Sequence, residues 1–149
     1  MLIRRAKKED YPAFAAIESG HPGYPAWGEK GFAAEEKNPN SVTLAAELDG
    51  QPAGFINFWI LRPQVQLNTL AVGKAFLRRG AASALLGKLL EYAAKSACRE
   101  IDLEVNEHNA PAIALYLARG FEQVGKRPKF YNNTDAALLL RKVLPSKDL

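Results

Sequence analysis

Leu2-Ile3-Arg4-Arg5 opens the chain with the pattern of a short strand. In KKEDYPAFAAIESG, Tyr11, Phe14, Ala15 and Ile17 recur at helical spacing, and Gly20 supplies a stop, so a helix is expected over 7–20. HPGYP, with two prolines, is a loop. AWGEKGFAAEEK is a weaker helix, because Gly28 and Gly31 lower its propensity. SVTLAAELDGQPAGFINFWIL divides into two strands at Asp49-Gly50, a dipeptide suited to a tight hairpin turn.

VQLNTLAV changes parity. Val65 and Leu67 are apolar at odd positions, Leu70 and Val72 at even ones. A strand's side chains alternate between faces, so the change marks either one inserted residue, a β-bulge, or a strand buried on both faces. From Gly80 to about Ser96 the pattern is helical, with Leu85, Leu86, Leu89, Leu90 and Ala93 on one wide face. REIDLEVN alternates cleanly: Ile101, Leu103 and Val105 against Asp102, Glu104 and Asn106. NAPAIALYLARG is a short helix with Asn109 as N-cap, Pro111 in the first turn and Gly120 as its stop. FEQVGKRPKF and DAALLLRKVL close the chain as two strands. The order β-α-α-β-β-β-α-β-α-β-β describes a mixed α/β domain with one central sheet of about seven strands and helices on both faces.

At 149 residues, the length fits a single domain over 1–149 with a sizeable core. The one cysteine, Cys98, cannot form an internal disulfide, which points to a reducing cytoplasm. With Cys98 and only two histidines, His21 and His108, no zinc pattern is available, and no metal is expected. No apolar run reaches the length of a membrane span, and MLIRRAKKED lacks a signal-peptide core. The net charge of +4 favours anionic partners in general. The basic residues are scattered, however, and no nucleic-acid motif accompanies them.

One stretch carries candidate chemistry. In LRRGAASALL, Arg78 and Arg79 precede Gly80, and Ala81, Ala82 and Ser83 then open a helix. A helix start exposes backbone N–H donors and a positive dipole end, which bind anions where nothing bulky intervenes. Arginine adds a bidentate grip on phosphate. Tight packing of the helix on the sheet would select the same small residues, so this segment alone leaves both readings open. It is neither a P-loop nor a dinucleotide fingerprint.

Residues 67–121 resemble the acetyl-CoA-binding core of the GNAT superfamily of N-acetyltransferases. That core has a bulged strand followed by a Gln/Arg-x-x-Gly-x-Gly/Ala motif that opens a helix. Here the motif reads Leu77-Arg78-Arg79-Gly80-Ala81-Ala82, and Leu77 departs from it. LEVNEHNAPAIALYLARGF and AIESGHPGYPAWGEKGF are similar to segments of bacterial ribosomal-protein-alanine N-acetyltransferases. The resemblance implies the GNAT fold with a bulged, splayed fourth strand. It implies acetyl-CoA as co-substrate, and acetyl transfer to a primary amine by direct attack in a ternary complex.

It also implies roles for residues. Glu104 would be the general base, directly or through a water, although by itself it reads as a solvent-facing strand residue. Tyr116 would be the general acid toward the leaving thiolate, with its ring in the core. The backbone of Leu70, Ala71 and Val72 would hold the acetyl and pantetheine groups. Arg78, Arg79, Gly80, Ala81, Ala82 and Ser83 would hold the pyrophosphate, and Asn109 would touch the cofactor. Tyr24, Trp27 and Tyr131 would rim the acceptor cleft, though Trp27 also reads as a core anchor. His108 and Cys98 lie on different elements and do not suggest an acyl-enzyme. The implied acceptor is a protein or peptide N-terminus, ribosomal proteins included, and the protein a monomer or homodimer. A small-molecule amine is the alternative acceptor. A non-catalytic acyl-CoA-binding module and an RNA-binding domain are rivals from other classes.

Overall fold

The computed structural model describes residues 1–21, 25–131 and 134–145; the side chains of 129–131 are not among them. In chain order the elements are β1 (Leu2–Arg5), α1 (Tyr11–Ser19), α2 (Gly28–Glu35), β2 (Ser41–Leu48), β3 (Gln51–Leu61) and β4 (Gln64–Val72). They continue with α3 (Ala81–Lys95), β5 (Glu100–Asn106), α4 (Ala110–Ala118), β6 (Glu122–Tyr131) and β7 (Asp135–Val143). The strands form a mixed seven-stranded sheet in the order β1-β2-β3-β4-β5-β7-β6. The chain divides into two compact units, Met1–Trp59 with Asn68–Tyr92, and Ile60–Leu67 with Ala93–Leu149.

The first unit is built on an aromatic cluster. Tyr11, Phe14 and Ile17 recur along α1 at three-residue spacing and are buried with Phe32 of α2, Ala45, Phe55 and Ala71. Phe14, Phe32 and Phe55 meet pairwise with centroids 4.9–5.1 Å apart, within the favoured range for aromatic pairs. The expected 7–20 helix begins later than its pattern. Lys8–Asp10 form a 3₁₀ turn, and Pro12 sits in the first turn of α1, where its missing N–H costs no bond. Asp10 is buried, and both its oxygens accept from the Arg4 guanidinium, at 2.8 and 2.9 Å. Asp10 Oδ2 also accepts from the Lys7 amide at 2.7 Å.

A second buried carboxylate, Glu18, starts α2. Its oxygens accept from the amides of Trp27 at 2.7 Å and Gly28 at 3.0 Å, so a side chain from α1 caps the next helix. The hairpin turn lies where expected, with Asp49 and Gly50 at φ 52° and 75°. β3 carries a one-residue bulge: Ala46 pairs with Gly54, then Glu47 with Pro52.

In the second unit β5 alternates as its sequence does. Ile101, Leu103 and Val105 are buried, and Glu100, Asp102, Glu104 and Asn106 are half-buried. β5 runs parallel to β4 from Gln64↔Glu100 to Leu67↔Leu103, and antiparallel to β7 from Glu100↔Val143 to Asn106↔Ala137. The parity change in β4 appears as alternate burial at Val65 and Leu67, then consecutive burial at Ala71 and Val72. Cys98 is a small packed residue, its thiol pushed up by burial against a weaker opposing pull from Arg62.

Candidate functional site

The candidate residues fall in both units. In the first, β4 ends at Leu70-Ala71-Val72, with Leu70 half-buried and the other two buried. β3 lies close against this segment because residue 54 is glycine: a Cβ there would sit 2.8 Å from the Ala71 carbonyl oxygen. Two contacts fix the exit from β4. The Gly73 amide donates to the Ala53 carbonyl at 2.8 Å, and His21 Nε2 lies 2.7 Å from the Val72 carbonyl. His21 is 51 positions from Val72 and no local pattern couples the two, so only the fold brings them together.

Past a 3₁₀ turn at Lys74–Phe76 the chain reaches the small-residue helix start. Arg78 has φ 63° and Gly80 φ 83°, both in the left-handed region. Residue 80 therefore favours glycine on backbone grounds, whereas Arg78 bears the strain of a bulky residue there. The α3 ladder begins with Ala84 N–H donating to the Gly80 carbonyl at 3.0 Å, so the amides of Ala81 and Ala82 lie ahead of it. Ala81 is 2% exposed and Ala82 and Ser83 are half-buried. Packing thus accounts for Ala81. Among the described residues, a Cβ on Gly80 would meet nothing nearer than Met1 Cε at 4.0 Å, so they leave the space over the turn open. Arg78 is exposed, and Arg79 pairs with Asp49 of the hairpin turn at 3.1 Å. Leu77 is 48% exposed, and nothing in the structure explains a leucine at this place.

In the second unit Glu104 stands on the polar face of β5, opposite Leu139 of β7. Its Oε1 lies 2.9 Å from the Arg127 guanidinium of β6. A cavity of about 160 Å³ opens over this face, its lining including Gln66, Asp102, Glu104, Leu139 and Arg141. Arg141 holds Asp102 through two bonds, at 2.7 and 3.2 Å.

α4 is fixed at both ends. Asn109 Oδ1 accepts from the Ala112 amide at 3.3 Å, the expected N-cap, with Pro111 in the first turn. At the other end Phe121 N–H donates to the Tyr116 carbonyl and Gly120 N–H to the Leu117 carbonyl, each at 3.1 Å. With Gly120 at φ 89°, this is a Schellman motif, and its usual apolar contact is the Tyr116–Phe121 ring pair, 5.6 Å between centroids. Tyr116 is 6% exposed, so its ring is a core aromatic as well as a candidate acid. Nearby, Glu107, His108 and Asp135 each place one ligand-type atom within 4.8 Å of the others. Glu107 is also held by the Ala136 amide at 2.7 Å and by Lys126 at 3.4 Å. This cluster joins the loop before α4 to the start of β7.

Of the acceptor-cleft candidates, Trp27 packs on the aromatic core, 5.3 Å from Phe32 between ring centroids. Tyr24 lies outside the described residues. Tyr131 ends β6, paired with Asp135, and its side chain is likewise outside them. Among the described residues no helix is long and apolar enough to cross a membrane.

A family model described as the acetyltransferase (GNAT) family matches residues 3–121. The ribosomal protein bS18-alanine N-acetyltransferase of Escherichia coli (strain K12) is 32% identical over 133 residues, 89% of this chain and 88% of its own length. The crystal structure of the ribosomal-protein-S18-alanine N-acetyltransferase from Escherichia coli matches with a TM-score of 0.87 and 27% identity, covering 99% of this chain and 97% of that one. An 80-residue stretch is 42% identical to an uncharacterised protein of Mycobacterium leprae (strain TN); it is 52% of this chain and 21% of that protein.

Proposed function

We propose that this chain, which belongs to the acetyltransferase (GNAT) family and is an N-acetyltransferase, acetylates the N-terminal α-amine of a protein or peptide, with residues 1–149 acting as one domain. What carries the reading is the pair Glu104 and Tyr116, held in one compact unit by independent means: Glu104 by strand register, Tyr116 by the Schellman turn. The relative's name supplies the class of acceptor.

Acetyl-CoA fits what the first unit offers. The open space over Gly80, the amides of Ala81 and Ala82 ahead of the helical ladder and the exposed Arg78 form a donor set for a pyrophosphate. Ser83 and Arg79 would extend that set, Arg79 by leaving Asp49, and Asn109 would add a side-chain contact. The backbone of Leu70, Ala71 and Val72 would hold the acetyl–pantetheine end, the Val72 N–H polarising the carbonyl. When bound, the thioester supplies an activated acetyl group.

The protein's own task is proton traffic. An amine is mostly protonated at neutral pH, so Glu104 takes the ammonium proton on a carboxylate oxygen and frees the nitrogen lone pair. Tyr116 Oη holds the proton that the leaving sulfur needs. Such transfers contribute roughly 10²–10⁴-fold in rate. Trp27 serves as a core anchor of α2, and Tyr24 and Tyr131 stay candidates for the acceptor cleft on the resemblance alone.

The test uses acetyl-CoA and two peptides of one sequence containing lysine, one with a free N-terminus and one with it blocked, beside spermidine and free amino acids. Mass spectrometry should find acetyl on the free-N-terminus peptide alone. Acetylation confined to the small amines would overturn the proposed acceptor.

A further inference from the structure

One fully buried amide is left over by the proposed chemistry. Asn57 interrupts the apolar run FINFW of β3 and is 0% exposed. Its Nδ2 donates to Ser41 Oγ at 2.9 Å and to Thr43 Oγ1 at 2.8 Å. Its Oδ1 accepts from Asn68 Nδ2 of β4 at 3.0 Å. Further along, Ser41 Oγ donates to Glu35 Oε1 at 2.7 Å, and Trp59 Nε1 donates to the same oxygen at 2.6 Å.

Chemistry fixes the direction of this chain of bonds. An indole N–H only donates and a carboxylate only accepts. Ser41 has one hydrogen and gives it to Glu35, so it must accept from Asn57. Both Asn57 amide hydrogens are then used on Ser41 and Thr43, and only Oδ1 remains to meet Asn68. Among the described residues no buried side-chain nitrogen or oxygen lacks a partner. A satisfied network of this kind, centred on one fully buried amide, specifies a single geometry. It returns little net stability over an apolar pair of the same shape, because the amides must first be desolvated.

Its place says what that geometry serves. Asn68 directly follows Leu67, the last residue of β4 in the parallel register with β5, and stands two residues before Leu70. At the far end of the segment, His21 holds the Val72 carbonyl and Ala53 holds the Gly73 amide. Residues 69–71 are therefore tied at both ends.

We infer that Asn57 and Asn68 are positioning residues: the bond between buried Asn57 and half-buried Asn68 sets the β4 backbone so that Leu70, Ala71 and Val72 meet the acetyl–pantetheine end of acetyl-CoA. This rests on the reading of that backbone as the thioester's binding ledge.

The experiment is calorimetric titration of acetyl-CoA into the wild type, Asn68→Ala, Asn68→Asp and Thr43→Val, with thermal melts and steady-state kinetics alongside. Asn68→Asp keeps the side chain's size but replaces the donor with a charged acceptor oxygen facing Asn57 Oδ1, so it breaks the bond without a cavity and decides the matter if Asn68→Ala fails to fold. Thr43→Val strips a bond from the same buried amide on the side away from β4. Both Asn68 variants should bind acetyl-CoA about tenfold more weakly, equivalent to about 1.4 kcal/mol. Their KM for the acceptor should stay within about twofold. Thr43→Val should melt at lower temperature yet keep its acetyl-CoA affinity within about twofold. Wild-type affinity in both Asn68 variants, or an equal loss in Thr43→Val, would make the amide pair merely structural and overturn the inference alone. Failure of the wild type to bind acetyl-CoA would overturn the ledge reading and the inference together.

Discussion

Replacing Gly54 by alanine tests the close approach of β3 to β4 where the thioester is proposed to lie. The new Cβ would sit 2.8 Å from the Ala71 carbonyl oxygen and 3.2 Å from Val72 Cγ2, against ordinary contact at 3.4 Å or more. The Ala71 carbonyl must therefore retreat by about 0.6 Å, the difference between 3.4 and 2.8 Å. It is backbone, and its neighbour Val72 is held by His21, so it cannot swing aside as a flexible side chain would. Overpacking of this kind costs about 1–3 kcal/mol. The usual gain from Gly→Ala, through a less flexible unfolded chain, is only about 0.4–1 kcal/mol. Gly54→Ala should thus be net destabilised by about 1–2 kcal/mol, lowering Tm by roughly 3–6 °C in a domain of this size. Circular-dichroism melts measure this, and acetyl-CoA titration should show weaker binding in the same variant. An unchanged or higher Tm would refute the close approach.

Asp10→Asn should cost about 3 kcal/mol in urea melts at pH 7, because it leaves the Arg4 guanidinium short of its buried partner. Burial works to raise the Asp10 pKa, but the Arg4 bonds and the Lys7 amide outweigh it and hold the carboxyl below its ordinary 3.8. The wild type should accordingly keep this stabilisation above about pH 4 and lose it as pH falls through the lower folded value, and Asp10→Asn should flatten that acid limb. Ala97 sits at φ 58° past the end of α3, so Ala97→Gly should raise stability by about 0.5–1 kcal/mol, where most Ala→Gly changes lower it. Arg79→Ala breaks only an exposed pair and should change stability by less than about 1 kcal/mol. If Arg79 grips phosphate, the same variant should bind acetyl-CoA more weakly, with a deficit that shrinks as salt is added.

What the chain showed in advance is what local rules decide. The β5 alternation, the Asp49-Gly50 turn, the Asn109 cap and the Gly120 stop each depend on residues a few positions apart, and each stands where its pattern places it. The apolar stripe of α3 includes Leu90, yet Leu90 is only half-buried, since periodicity gives a face's centre more securely than its edges. The unforeseen features are pairings made by the fold: Glu18 starting α2, Arg127 on Glu104, Asp49 on Arg79 and His21 on Val72. Asn57 did leave a trace, as a polar residue inside an apolar run. Its partners lie 11 to 16 positions away on neighbouring strands, and only the registers reveal them.

The most direct measurement is the rate of acetyl transfer to a peptide α-amine, at saturating acetyl-CoA, for the wild type, Glu104→Gln and Tyr116→Phe, with acetyl-CoA affinity measured in parallel. Each variant should lose roughly 10²–10⁴-fold in kcat while acetyl-CoA binding stays within about threefold. Full-rate transfer by either variant would contradict the role assigned to that residue, and full-rate transfer by both would remove the proton-transfer account altogether.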